Sequence, residues 1–169
     1  MNTKRALKTL AKMNKTIYYQ ILNEDITLVS DGHMVANIYT SEWDELKDIC
    51  FKKNVRQEFD LLKVMRDNNH DKVQARQTSI IIHDDYDRDL VIFKYHDDAD
   101  NVKFRAINKV YIDIVHDLCD NIYGFETRLD DRCAPIMSIC DTGETFYGGW
   151  LILPINHDVR NTLENVLNI

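Results

Sequence analysis

The sequence predicts an α+β fold, and three observations carry that expectation. First, Trp150–Ile155 is an unbroken apolar run preceded by Gly148-Gly149 and containing Pro154. A run of this kind reads as a strand buried on both faces, with pairing that stops near the proline because proline has no N–H to donate. Second, stretches of helical period alternate with stretches rich in β-branched and aromatic residues. Third, the pattern echoes itself: residues 3–39 and 108–154 each read as one helix followed by three strands, a duplicated half-unit. A chain of 169 residues fits one domain over 1–169 with a large enough core to need no staples.

The elements follow in order. Residues 3–13 make an amphipathic helix, with Ala6, Leu7, Leu10 and Ala11 on one face and Lys4, Lys8, Lys12 and Lys15 on the other. Strands are expected over Thr16–Leu22, Ile26–Ser30 and Met34–Tyr39, with Asn23-Glu24-Asp25 and Asp31-Gly32 as turns. Ser41 reads as the cap of a helix whose inner face holds Trp43, Leu46, Ile49 and Cys50. Phe59, Leu62 and Met65, with Val55, suggest a second helix ending near Asp67–Asp71. Strands return at Ser79–His83, Leu90–Tyr95 and Val102–Ile107. Asn108 caps a helix to Leu118 with Tyr111, Ile114, Val115 and Leu118 inward. Tyr123–Leu129, Pro135–Cys140 and the run around Trp150 complete the strands. Asn156 is expected to cap a last helix that turns Val159, Leu163, Val166 and Leu167 to the core.

Composition narrows the function classes. No segment approaches the roughly 18 consecutive apolar residues of a membrane helix. Cys50, Cys119, Cys133 and Cys140 form no C-x-x-C pair, and no secretory pattern is legible near Met1, so the expectation is reduced, buried cysteines in a cytoplasmic protein. The sequence holds no G-x-S-x-G, Walker loop, G-x-G-x-x-G or H-E-x-x-H. No catalytic residue, metal site or cofactor is assigned, and the protein is expected not to be an enzyme. Cys119 with His116 at helical i, i+3 spacing, and Asp31 with His33 in a tight turn, are set against plainer readings as packed helix and hairpin.

Charge is unevenly spread. The net charge is −7, yet residues 1–15 hold Lys4, Arg5, Lys8, Lys12 and Lys15 and no acid, leaving 16 basic against 28 acidic residues elsewhere. Such a stripe suits phosphate contacts or is a solvated helix face. The helix after Asn108 carries Lys109 but also Asp113, Asp117 and Asp120, so DNA would be held weakly and with steep salt dependence. Between Asp84 and Asp100 stand seven acids against two bases, including His83-Asp84-Asp85 and His96-Asp97-Asp98. Histidine beside carboxylates fits a divalent metal, while the position between strands fits solvated hairpins.

Three segments together resemble a domain of the bacterial sliding clamp, the ring-shaped processivity factor of DNA polymerase. Leu28-Val-Ser-Asp-Gly-His-Met-Val-Ala36 is similar to a clamp strand, turn and strand. Phe104-Arg-Ala-Ile-Asn-Lys-Val-Tyr-Ile-Asp-Ile-Val115 resembles its strand-then-helix segment. Ala134-Pro-Ile-Met-Ser-Ile139 with Trp150-Leu-Ile-Leu-Pro-Ile155 resembles its two closing strands. The resemblance implies a sliding-clamp-like domain of two helix-plus-three-strand halves, mostly antiparallel, with an insertion at about 41–100. It implies a non-enzymatic DNA-replication accessory acting through assembly, as a homo-oligomer, and through a protein partner, with DNA contacts at Lys4, Arg5, Lys8, Lys12 and Lys15. Together with a residue bias like that of AT-rich genomes it also implies a phage or prophage origin. The chain departs from the family in its length, which allows one domain where a bacterial clamp chain joins three, and in the acidic second helix. A second expectation is an acidic phage-encoded inhibitor of a host defence nuclease, of anti-CRISPR type, whose partner-binding residues are Asp84, Asp85, Asp87, Asp97 and Asp98.

Overall fold

Helix followed by three strands occurs twice, as the sequence predicts. In the computed structural model the described residues are 2–14, 16–51, 55–119, 124–130 and 133–167, with side chains described to residue 163. The first unit is α1 (Thr3–Met13), β1 (Ile17–Ile21), β2 (Ile26–Ser30) and β3 (Met34–Tyr39). Then come α2 (Thr40–Cys50), β4 (Val55–Arg56), α3 (Leu61–Asn68), β5 (Lys72–His83), β6 (Asp89–His96) and β7 (Val102–Asn108). The second unit is α4 (Lys109–Leu118), β8 (Phe125–Arg128), β9 (Ile136–Asp141) and β10 (Phe146–Ile152), and α5 (Val159–Leu167) closes the described chain.

All ten strands form one open sheet in the order β4-β1-β2-β3-β10-β9-β8-β5-β6-β7. Its centre is symmetric: β1-β2-β3 meets β10-β9-β8 at an antiparallel seam in which Trp150 faces Ala36 and Ile152 faces Met34. Every pairing in the sheet is antiparallel except β4 on β1. The helices opening the two units pack on each other. Asn2 caps α1 by accepting from the Arg5 N–H (3.0 Å), and its own N–H donates to the Asp117 carbonyl of α4 (2.6 Å).

Strand alternation assigns the two faces of the sheet. One face carries α1, α2 and α4, whose Leu7, Leu10, Trp43, Tyr111 and Ile114 pack on Val29, Ala36, Phe93, Trp150 and Ile152. On the other face Leu61 and Met65 of α3 cover Leu28, Val35 and Leu151, while Val159 of α5 covers Leu90, Ile92 and Ala106. The run around Trp150 is therefore central and buried on both faces, with Trp150 and Ile152 in one core and Leu151 in the other. Pairing ends at Ile152, ahead of Pro154, and Leu153 is 40% exposed.

The glycine pair before that run has a steric cause. Gly149 sits at φ +154°, and a Cβ there would lie 2.6 Å from the Ser138 carbonyl oxygen and 2.8 Å from the Ile139 Cα, both backbone atoms of β9. Its N–H donates to Asn37 Oδ1 across the seam (2.8 Å). Backbone cannot yield as a flexible side chain does, so Gly149→Ala is expected to cost about 3 kcal/mol or more. Chemical denaturation checks this; a loss below about 1 kcal/mol would show that β9 and β10 separate freely.

Several expectations need correction. α2 starts at Thr40 rather than after Ser41: the Thr40 hydroxyl turns inward to Thr27 Oγ1 (2.9 Å) and the Asn23 carbonyl (3.0 Å), and no side chain caps the helix. Ile49 is 56% exposed, one position off the buried face. Val55 lies in β4, Phe59 precedes α3, and Asp60 caps that helix by accepting from the Lys63 N–H. β5 is far longer than Ser79–His83, because its first half pairs with β8 and its second half with β6. The segment set apart as an insertion thus supplies β4, β5 and β6 to the sheet and Trp43 to the main core. Asp158, not Asn156, caps α5 by accepting from the Asn161 N–H (3.0 Å). The four cysteines are not the buried set expected: Cys133 and Cys140 are exposed, and Cys50 and Cys119 only half-buried. Tyr123 of the expected eighth strand, Asp120 of the helix before it, and the side chains of Val166 and Leu167 lie outside the described residues.

Candidate functional site

Four-residue spacing aligns Lys4, Lys8 and Lys12 along α1, all exposed and without an ion pair among the described residues. The stripe runs on the α2 side of the helix. Burial pushes the Cys50 thiol of α2 up, and Lys8 and Lys4 are near enough to pull against it. Arg5 faces the other way. Its Nε and Nη2 reach both carboxylate oxygens of Asp117 on α4 (2.8 and 2.5 Å), and this fork holds the Asp117 carboxyl below the usual carboxylate range. Lys109 pairs with Asp113 at 3.0 Å. The acidity of α4 that the sequence shows is thus balanced within the structure, and Arg5 is spent in the balance. Lys15 lies outside the described residues.

The acidic residues divide between two turns. Asp84, Asp85 and Asp87 lie between β5 and β6; Asp97 and Asp98 lie between β6 and β7. The eight residues of β6 separate the turns by about 25 Å. Asp84 and Asp97 serve the turns themselves. Asp84 accepts from the Tyr86 and Arg88 N–H groups and from the Arg88 guanidinium. Asp97 accepts from the Ala99 and Asn101 N–H groups. Partial burial would push the Asp84 carboxyl up, but the Arg88 fork and the two N–H groups bring it below its ordinary value. Asp85, Asp87 and Asp98 point to solvent.

His83 sits between two of these acids, with Nδ1 2.9 Å from Asp89 and Nε2 3.1 Å from Asp87. The Asp89 hydrogen bond, with the charges of Asp89, Asp87 and Asp84, raises its pKa above 6.5. A group whose folded pKa is raised adds stability below its unfolded value, and that contribution is lost as pH rises through the folded one. NMR titration should place the His83 pKa above 6.5, and Asp89→Asn should bring it back toward that value; an unmoved His83 in the variant would show that Asp89 is not the cause. Among the described residues no group of three or more His, Cys, Asp or Glu side chains is placed to hold a metal ion.

Asp31 gathers four donors. Its Oδ1 accepts from the His33 and Met34 N–H groups (2.9 and 3.1 Å), its Oδ2 from the Tyr111 hydroxyl and the Asn14 amide (both 2.6 Å). Burial and this carboxylate push the Tyr111 phenol well above its usual value, so it stays a donor. His33 touches Asp31 through its backbone alone, and the arrangement is a hairpin tied to α1 and α4 rather than a carboxylate–imidazole site. Cys119 is the C-cap of α4, its N–H donating to the Val115 carbonyl (2.9 Å).

One surface was not foreseen from the sequence. An apolar groove of about 230 Å³ lies where the start of α3 meets the β2–β3 turn and the end of β10, lined by Tyr18, His33, Phe59, Val64, Leu151 and Leu153. Phe59, Val64 and Leu153 are 54, 39 and 40% exposed, and the Phe59 ring stands edge-on to Tyr18 at 4.8 Å. The wall is anchored by Arg66 of α3, whose Nε donates to the buried Asp141 carboxylate of β9 (2.9 Å). The signal was present in Phe59, an aromatic residue read as core that has no helix to bury it.

No helix among the described residues is long and apolar enough to cross a membrane. Comparison with protein-family models, with curated proteins and with solved structures finds no match for this chain.

Proposed function

We propose that this chain is a non-enzymatic, clamp-like accessory of DNA replication that works through assembly and partner binding. The observation that carries the reading is the symmetric centre of the sheet. Two helix-plus-three-strand units meet at β3 and β10, and their helices α1 and α4 lie side by side. The segments that resemble the sliding clamp lie largely within these units. Ser30–Met34 forms the turn of one, and Ile107–Tyr111 opens the helix of the other. Trp150–Ile152 lies in its closing strand.

In this reading Lys4, Lys8 and Lys12 face DNA, and the groove beside Phe59 and Leu153 takes a protein partner through apolar anchors. The fit is a matter of charge and shape alone: a local cationic stripe on an acidic body attracts a polyanion weakly and only at low salt. The test is the molecular mass in solution by light scattering, alongside DNA binding at low ionic strength. The reading expects an oligomer and salt-sensitive binding; a monomer that leaves DNA untouched overturns it.

The alternative, an acidic phage-encoded inhibitor that captures a host defence nuclease, draws less support. Its five aspartates lie at opposite ends of β6, and Asp84 and Asp97 are engaged in their own turns. What is left for it is Asp85, with Asp87 beside His83, at one end of β6 and Asp98 at the other. Reversing the charges of Asp85, Asp87 and Asp98 should abolish capture of a nuclease if that mechanism operates, and unchanged capture rejects it.

A further inference from the structure

On the sheet face that α3 and α5 share, the two helices stand apart. α3 packs on Leu28, Val35 and Leu151, and α5 on Leu90, Ile92 and Ala106. In the sheet order β8 and β5 lie between those two patches. Ala75, Phe93 and Tyr95 belong to the core on the opposite face. Strand alternation therefore turns Gln74, Arg76, Lys94 and His96 to the α3–α5 side, where all four are exposed. They line a recess of about 300 Å³ at the end of β6. That volume is at the small end of the range for small-molecule sites, roughly 300–1,000 Å³.

Two cations face each other in this recess. The β5–β6 register sets Arg76 directly opposite Lys94, a relation that brings Cβ atoms to about 5 Å and makes like charges destabilising. Neither side chain has an ion pair or a side-chain hydrogen bond among the described residues. The acid that register places on this face, Glu126 opposite Gln74, is taken by Lys72 at 3.0 Å. Asp97, in the turn after His96, accepts from the Ala99 and Asn101 N–H groups. In a chain of net charge −7, with acids in excess, two neighbouring cations without a counter-charge point to an anion from outside. The recess also lies beside a bulge. Between the Gln77–Phe93 and Ile81–Val91 pairs the register shifts, and the Thr78 hydroxyl donates to the Ile92 carbonyl (2.7 Å). Such a bulge bends its strand and increases the local twist.

We propose that this recess binds a phosphoryl group, as free phosphate or as the monoester of a small molecule. Arg76 offers a planar fork and Lys94 a point charge, while Gln74 and His96 flank them with further N–H donors. A phosphoryl group brings close to two negative charges at neutral pH and at least three acceptor oxygens, which matches both the charge and the donors. A carboxylate brings one charge and two oxygens and leaves one cation unanswered. A nucleic-acid strand fits less well because the positive surface is short. Along β6 it ends at Asp97, Asp98 and Asp100 of the turn, and across the sheet it ends at Glu126. A row of phosphates would run onto those acids. The proposal does not rest on the DNA reading, which concerns α1 on the opposite face of the sheet.

The experiment is a backbone-amide NMR titration of the full chain, with ionic strength held low and constant by sodium chloride. The probes are inorganic phosphate, methyl phosphate, acetate and a short single-stranded oligodeoxynucleotide without a terminal phosphate. Saturable shifts of the amides at 74–76 and 94–96 are expected with the phosphate probes and not with acetate, and the tighter of the two phosphates names the source. Arg76→Gln and Lys94→Gln should each weaken that probe by about tenfold. Without phosphate, the melting temperature of either variant should equal or exceed that of the parent, because the like-charge pair is gone. Lys94→Arg keeps the charge and should keep binding. Glu at positions 4, 8 and 12 together should leave the phosphate shifts in place, which separates this site from the DNA surface. Absence of saturable shifts with both phosphates overturns the proposal, as do equal shifts with acetate or binding that persists in the double Gln variant. Shifts caused by the oligonucleotide alone also overturn it and assign the face to nucleic-acid backbone instead.

Discussion

Asp31→Ala should lower the stability of the folded chain by about 3–5 kcal/mol, the largest effect expected of any single polar substitution here. The carboxylate is 7% exposed and accepts four hydrogen bonds, two on each oxygen. Alanine leaves the buried Met34 N–H and Tyr111 hydroxyl and the part-buried His33 N–H and Asn14 amide without this acceptor, and each buried loss costs about 1 kcal/mol or more. Three elements loosen together, since the donors come from the end of α1, the β2–β3 turn and α4. Asp31→Asn is expected to fall most of the way as well: its amide group would face one of the two donor pairs and present N–H to N–H or O–H. Tyr111→Phe removes one bond and keeps the ring, so about 1–1.5 kcal/mol is expected. Urea denaturation at constant m separates the three variants. An Asp31→Ala protein that melts within about 3 °C of the parent would show that water satisfies the donors and that the turn is not a keystone.

Asp31 also shows how far the sequence is legible. Asp-Gly between two apolar runs marks a hairpin whatever surrounds it, so β2 and β3 were placed within the sequence alone. The same holds for α1, from its 3.6-residue apolar period, and for α4, where that period agrees with the Asn108 cap. The buried closing strand was readable because Trp150–Ile152 carries no side chain that needs water on either face. Failures came where tertiary contact overrode local signal. Thr40 lies inside α2 because its hydroxyl has partners on β2 and the preceding turn, which no local pattern reveals. The first half of β5 alternates weakly, Lys72-Val-Gln-Ala-Arg76, and becomes a strand by pairing with β8, more than fifty residues later. The acidic segment read as one patch because residues 84–100 are contiguous in sequence; an eight-residue strand between two turns places its ends apart. Arg5 looked like part of a basic face because its partner, Asp117, is 112 residues away.

That pairing decides the form of the strongest functional test. Glu at positions 4, 8 and 12 together should reduce the slope of log affinity against log salt for duplex DNA by about 3, close to one for each lost phosphate contact. At a fixed low salt the triple variant is expected to bind more weakly than the parent, because replacing three Lys by Glu moves the formal charge of −7 by six further negative units. Folding should be unaffected, since these side chains are exposed and make no ion pair among the described residues. Arg5→Glu is the instructive contrast. It sets a carboxylate against Asp117 at the α1–α4 contact, so its effect should appear in melting temperature first and in DNA binding only as a consequence. A conservative Arg5→Gln should keep most of the salt slope, because a guanidinium already shared with Asp117 releases little counterion on meeting phosphate. If instead the Arg5 variants abolish binding while the triple Lys variant retains the parent slope, the phosphate-facing surface lies on the α4 side of α1, and the stripe that first drew attention is a solvated helix face.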